Sequence, residues 1–165
     1  MRSRFSVFGH PIHPLLVGLP IGLFVWAFIA DIVFVLSDNM TWYDISFWSG
    51  VAAIIAALVA AVPGFGDYLT IAVQSDAKFM ATAHMVGNLS VVILFAVAAG
   101  FQVDEGATSG SNLVAVVALH GIGVGLLGIA GALGGDLVYR HHLAMIPDDG
   151  EHEARERARH REALR

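Results

Sequence analysis

Four apolar stretches, Leu15 to Leu36, Ile45 to Val62, Ala81 to Phe101 and Leu113 to Leu133, contain one charged side chain between them, Asp31. Each is close to the ~20 residues that an α-helix needs to cross a ~30 Å hydrocarbon layer. The whole chain carries the same imprint: of its 165 residues 56% are hydrophobic and 14% charged, with a mean hydropathy of +0.70. Soluble domains are about 45 to 50% apolar and about 25% charged. The expected fold is therefore all-α, an integral membrane four-helix bundle. Residues 1–142 form the four-span domain and residues 143–165 a charged tail.

The basic residues set the expected orientation. Arg2 and Arg4 precede the first span, Lys78 lies between the second and third, and Arg140, Arg155, Arg157, Arg159, Arg161 and Arg165 follow the fourth. An even number of spans puts them all on one side, whereas the connections around Ser37 to Tyr43 and Gln102 to Asn112 contain no Lys or Arg. The positive-inside rule then places both termini in the cytoplasm, in a bacterial inner membrane. Short connections suit an up-down-up-down bundle with antiparallel neighbours. The formal net charge of -5 mixes two faces and describes neither. The first span is too long for a signal-peptide core and is expected to stay as an anchor. The bilayer is the expected partner, with a homo-oligomer and a redox partner as further expectations; no nucleic acid is expected.

Local signals mark where the helices end. Ser37, Asp38 and Asn39 close the first span, the run from Pro63 to Asp67 closes the second, and Gly106 to Ser111 reads as a flexible loop. Asp76 is placed to cap a helix starting near Ala77. Pro20 should bend or loosen the first span. In the fourth, Gly121, Gly125, Gly128, Gly131 and Gly135 form a stripe, and Gly18 with Gly22 a shorter one in the first. Such stripes let helices approach closely in lipid, or leave a groove for a flat ligand. In the tail, Glu151 with Arg155 and Glu153 with Arg157 are i,i+4 pairs of a solvated helix, to which His152 and His160 also belong.

The chain has no cysteine, which excludes disulfides, thiolate metal sites, cysteine-held iron-sulfur clusters and covalent haem attachment. A cofactor would need His, Asp, Asn, Met or backbone ligands. Counting depth along alternating helices sorts the polar residues into two layers. An outer one holds Asp31, His120, Ser46 and Ser49. Asp31 is expected to pair with His120 across the bundle, structurally first and as a proton relay second, because intramembrane ionisable groups find partners facing the interior. An inner layer holds His10 and His13 before the first span, His84 and Asn88 in the third, and Asp67, Asp136, His141 and His142 near helix ends. Imidazole binds metals and haem iron. A b-type haem between histidines of two helices would suit a bundle lined by Gly, Ala and Phe, with Arg or Lys near the surface for its propionates. His84 is the leading ligand, and His13, His10 or His141 its partner. The alternative is a small metal site of His10, His13, His84 and a carboxylate such as Asp67. The plainest reading has His84 bonded to the Asp67 loop or to a backbone carbonyl. Pro11 and Pro14 make the His10 to His13 segment extended or turning rather than a helix face.

No nucleotide-binding glycine loop, nucleophile elbow or zinc-protease signature is present. Gly9-His-Pro-Ile-His-Pro-Leu-Leu, Leu19-Pro-Ile-Gly-Leu-Phe, Asp31, Val62-Pro-Gly-Phe-Gly-Asp-Tyr-Leu, Ala83-His84 with Asn88, and Gly134-Gly-Asp-Leu-Val-Tyr-Arg-His141 together resemble the bacterial membrane family known as domain of unknown function 2231. The resemblance runs from residue 9 to 142. It implies four spans and marks His10, His13, Asp31, Asp67, His84, Asp136 and His141; the family pattern has Gly where this chain has His142. Some members resemble fusions to Rieske-type iron-sulfur domains, which implies electron transfer, although this chain has no such domain. The functional expectation is a haem b electron-transfer subunit rather than a stand-alone catalyst. The alternatives are an oligomeric metal-handling or ion-transport protein, and a structural accessory subunit without a cofactor.

Overall fold

The computed structural model describes residues 6–8, 10–104, 108–140, 157 and 159–162. Two short strands, β1 (Ser6–Val7) and β2 (His10–Pro11), pair antiparallel with Ser6 opposite Pro11. Five helices follow: α1 (Ile12–Leu16), α2 (Gly18–Ser37), α3 (Met40–Tyr68), α4 (Asp76–Gln102) and α5 (Gly110–Tyr139). Together α1 and α2 make one membrane-length stretch, so four helices are long and apolar enough to cross a bilayer. Of the tail, residues 157 and 159–162 are described and helical; both expected ion pairs there lie outside the described residues.

Helix boundaries follow backbone hydrogen bonding rather than hydropathy. Pro11 stands just before α1 in extended geometry and Pro14 lies in its first turn, where a missing N–H leaves no bond unmade. The break at Val17 comes one turn before Pro20, whose ring removes the donor that would reach Leu16. Asp38 adopts the left-handed conformation and returns its N–H to Phe34 O at 2.8 Å. Asn39 then caps α3 by accepting from Thr41 N at 3.0 Å. α4 is capped by Ser75, which accepts from Lys78 N, while Asp76 is its first helical residue rather than its cap.

One boundary departs from expectation. Pro63 does not end the second span; it sits buried inside α3, which continues through Gly64 and Gly66 to Tyr68. A proline in a membrane helix removes one backbone bond, and neighbouring groups can satisfy the carbonyls it loosens. The missing donor is the one that would reach Val59 O; one residue on, Ala60 O accepts from His13 Nδ1 at 2.8 Å.

α2 packs on α3 and α4 on α5, α3 with α4 and α2 with α5 meet less extensively, and α1 packs on α3. The centre is made of Phe24, Ala27, Ala53, Val91, Phe95 and Leu127. Small residues dominate the helix contacts, whereas Leu36, Trp48, Val62, Val114, Ile122 and Ile129 point outward. In lipid the hydrophobic effect does not pull large side chains inward, and close backbone packing decides what is buried.

The buried positions repeat. Pro20, Phe24, Ala27 and Asp31 of α2 correspond, at one constant offset, to buried Val91, Phe95, Ala98 and Gln102 of α4. Ser46, Gly50, Ala53 and Ala60 of α3 correspond, at an offset one residue shorter, to buried Val116, His120, Gly123 and Ala130 of α5. The same offsets match His13 to His84 and Gly64 to Gly134. The first helix pair and the second are two copies of one packing pattern.

This pattern corrects the role expected of the α5 glycine stripe. A Cβ added at Gly125, Gly128, Gly131 or Gly135 would meet nothing within 4 Å, and the same holds for Gly18 and Gly22. Within the chain only Gly121 of that stripe makes a close approach, to Phe28 at 3.3 Å. The tight contact is instead at Gly123, where a Cβ would lie 2.7 Å from Phe95 Cε2. Phe95 cannot give way, because it stacks between Phe24 and His120. Gly123→Ala should therefore lower unfolding stability in detergent by about 1 to 3 kcal/mol. Gly128→Ala should leave it within about 1 kcal/mol; equal losses at both positions would contradict this packing.

Candidate functional site

Two histidines are held in the same way by the two halves of the chain. His13, in the first turn of α1, donates from Nδ1 to Ala60 O of α3 at 2.8 Å. His84, within α4, donates from Nδ1 to Ala130 O of α5 at 2.7 Å. Each accepting carbonyl lies four residues before a glycine whose bare backbone makes room for the ring. A Cβ on Gly64 would come within 2.7 Å of His13 Nδ1, and one on Gly134 within 2.8 Å of His84 Cε1. Ala-x-x-x-Gly in α3 and in α5 is thus a seat for an imidazole.

The seats also set the tautomer. A backbone carbonyl can only accept, so both Nδ1 atoms carry hydrogen, and in the neutral rings the lone pair is on Nε2. The two rings lie together, 6.5 Å between centroids with planes at 87°. Asn88 borders this pair: its Nδ2 donates to His84 O at 2.8 Å and lies 3.3 Å from both ring nitrogens of His84.

The other inner-layer residues are placed differently. His10 is exposed and turns back on its own hairpin, with Nδ1 3.1 Å from Phe8 O. Asp67 lies in the last turn of α3, its carbonyl accepting from Thr70 Oγ1 at 2.6 Å. Asp136 pairs with Arg140 at 3.2 Å along the exposed side of α5. His141 and His142 lie outside the described residues. Among the described residues no three His, Asp or Glu side chains converge as a metal-binding group, so His10, His13, His84 and Asp67 do not assemble into one.

A second polar cluster occupies the end of the bundle where α2 finishes and α3 begins. His120 Nδ1 donates to Asp31 Oδ2 at 2.6 Å, and both residues are 1% exposed. Ser46 Oγ donates to Asp31 Oδ1, and Gln102 Nε2 donates to Ser46 Oγ at 3.4 Å. Tyr43 O–H donates to Gln102 O at 2.8 Å. Phe95 stacks on His120, 4.1 Å between ring centres at 15°. Tyr43 and Gln102 were hidden from sequence reasoning, which placed both in connections; the constant offset between Asp31 and Gln102 is the signal that could have found the second.

The family described as Predicted membrane protein (DUF2231) matches residues 9–147. No curated protein and no solved structure matches the chain.

Removing one member of a buried pair leaves an uncompensated polar group. Asp31→Ala should therefore lower unfolding stability by about 3 kcal/mol. Arg140→Ala, which breaks only an exposed pair, should change it by less than about 1 kcal/mol. Thermal unfolding of the two purified variants in one detergent compares them.

Proposed function

The chain belongs to the DUF2231 family of predicted membrane proteins, and for this member we propose a role as a b-type haem protein that carries electrons in the bacterial inner membrane. His13 and His84 would hold the haem iron. One observation carries the reading: two imidazoles from different helices, each fixed through Nδ1 by a backbone carbonyl, adjoin each other with 6.5 Å between ring centroids. A hydrogen bond from the distal ring nitrogen is the usual support of a ligating histidine, since it fixes the ring and raises its basicity.

The donor set fits this group. Metal–imidazole bonds are about 2 Å long, so one iron between two imidazoles puts the ring centres about 6 Å apart; the rings here are 6.5 Å apart. Among the described residues no third His, Asp or Glu joins the two imidazoles, and a macrocycle would fill the remaining positions of a metal held between them. Haem iron would supply one-electron exchange between its ferric and ferrous states. The chain's part is to orient both rings, keep their nitrogens unprotonated at Nε2, and surround them with apolar helices.

The same reading includes an up-down-up-down arrangement with both termini in the cytoplasm. It rests on the order of the basic residues along the sequence, which an even number of spans puts on one side, and on the two connections that contain no Lys or Arg. A redox partner would then meet the haem from the cytoplasmic side, and a second copy of the chain could join in the membrane.

Purified protein should show a Soret band. His13→Ala and His84→Ala should each abolish it or convert it to a five-coordinate spectrum, while His120→Ala should leave its position unchanged. A colourless preparation that added hemin does not restore overturns the assignment and favours an accessory role. For topology, a fluorescent protein fused after Arg165 should mature, and alkaline phosphatase fused at Asp104 should be active; the reverse pattern would invert the orientation.

A further inference from the structure

Asp31 and His120 are the buried charged departure from the repeat. At the equivalent places the chain has Gln102 and Gly50, and the equivalent of Ser46 is Val116. All six positions are buried. The repeat therefore fills the equivalent buried places with neutral groups, Gln102 from the second half and Gly50 from the first, so the packing pattern does not by itself call for a carboxylate and an imidazole there. A carboxylate inside a membrane domain is costly, and where packing does not require it a role in proton or ion handling is the default expectation.

The hydrogen bonds define its chemistry. Both Asp31 oxygens accept, one from Ser46 O–H and one from His120 Nδ1–H, so Asp31 stands as the carboxylate. A second proton on the His120 ring makes the pair neutral overall, and its loss leaves one negative charge. The groups facing the pair are Tyr43 and Ser46 from α3, Phe95 and Gln102 from α4. Tyr43 is the other titratable one, with its O–H engaged by Gln102 O at 2.8 Å; Asp44 is exposed.

We propose that Asp31 and His120 form a buried proton-binding site that takes up a proton from solvent when one electron arrives at the His13–His84 site. The electron-linked half of this statement rests on the haem reading above; the proton site itself rests on the geometry. The ten helical steps of α5 from His120 to Ala130, whose carbonyl seats His84, span about 15 Å. With an effective dielectric near 20, a unit charge at that distance changes proton affinity by about fivefold to tenfold, and mobile salt is excluded from the space between. Charge balances: a one-electron donor supplies the electron, bulk water the proton, and no other bond changes.

The test is a redox titration of the haem-loaded full chain across about pH 5 to 9, with dithionite as reductant. In the wild type the midpoint potential should fall as pH rises over part of this range, and an indicator dye in weakly buffered detergent should report fractional proton uptake on reduction. In Asp31→Asn and His120→Gln the slope and the uptake should both vanish while the Soret position is unchanged. Should either variant fail to fold, Ser46→Ala, which removes one donor to Asp31, should shift the pH window at constant spectrum. A pH-independent wild type, or the same slope in wild type and variants, overturns the link. Infrared difference spectra of haem-free protein between acid and alkaline pH test the site separately. A titrating band that Asp31→Asn and His120→Gln remove supports it; identical difference spectra overturn it even if the protein binds haem.

Discussion

Hydrocarbon offers a polar atom no partner, and that constraint shapes every feature of this bundle. Among the described residues, no buried side-chain nitrogen or oxygen lacks a hydrogen bond. The groups that water would satisfy in a soluble protein are satisfied by helix backbones and by each other. Pro63 is tolerated within α3 beside a carbonyl, that of Ala60, which receives a hydrogen bond from the His13 side chain. Asp31 is tolerated because three neighbours enclose it in one network.

Such a constraint makes each polar side chain informative, and the chain treats its two clusters differently. At one end the halves agree: His13 and His84 are held by matching carbonyls over matching glycines, and the result is a near-symmetric pair of imidazoles. At the other they disagree, with Asp31 facing His120 where the repeat would supply Gln and Gly. The two clusters thus differ in kind, one repeated between the halves and one not.

Much of this was legible beforehand and some was not, for identifiable reasons. Four apolar runs with a single charged residue among them announced four helices, since length and hydropathy alone decide whether a segment can cross lipid. Depth counting put Asp31 and His120 at one level. It could not say that Pro63 stays helical, because a membrane helix can carry a proline through when its surroundings compensate. Nor could spacing reveal which glycines matter: Gly123 and Gly134 differ from Gly125 and Gly128 only in the face they present to Phe95, His84 or the outside.

The sequence by itself determined the class of protein and the helix count, because these depend on local composition. It also held the internal repeat, written in the offsets that link His13 to His84 and Gly64 to Gly134. Only the tertiary structure decided which histidines meet, that each ring nitrogen Nδ1 belongs to a carbonyl on another helix, and that His10 stands aside. Those outcomes come from the rotation and packing of one helix against the next, which side-chain volumes set collectively and no single stretch of sequence encodes.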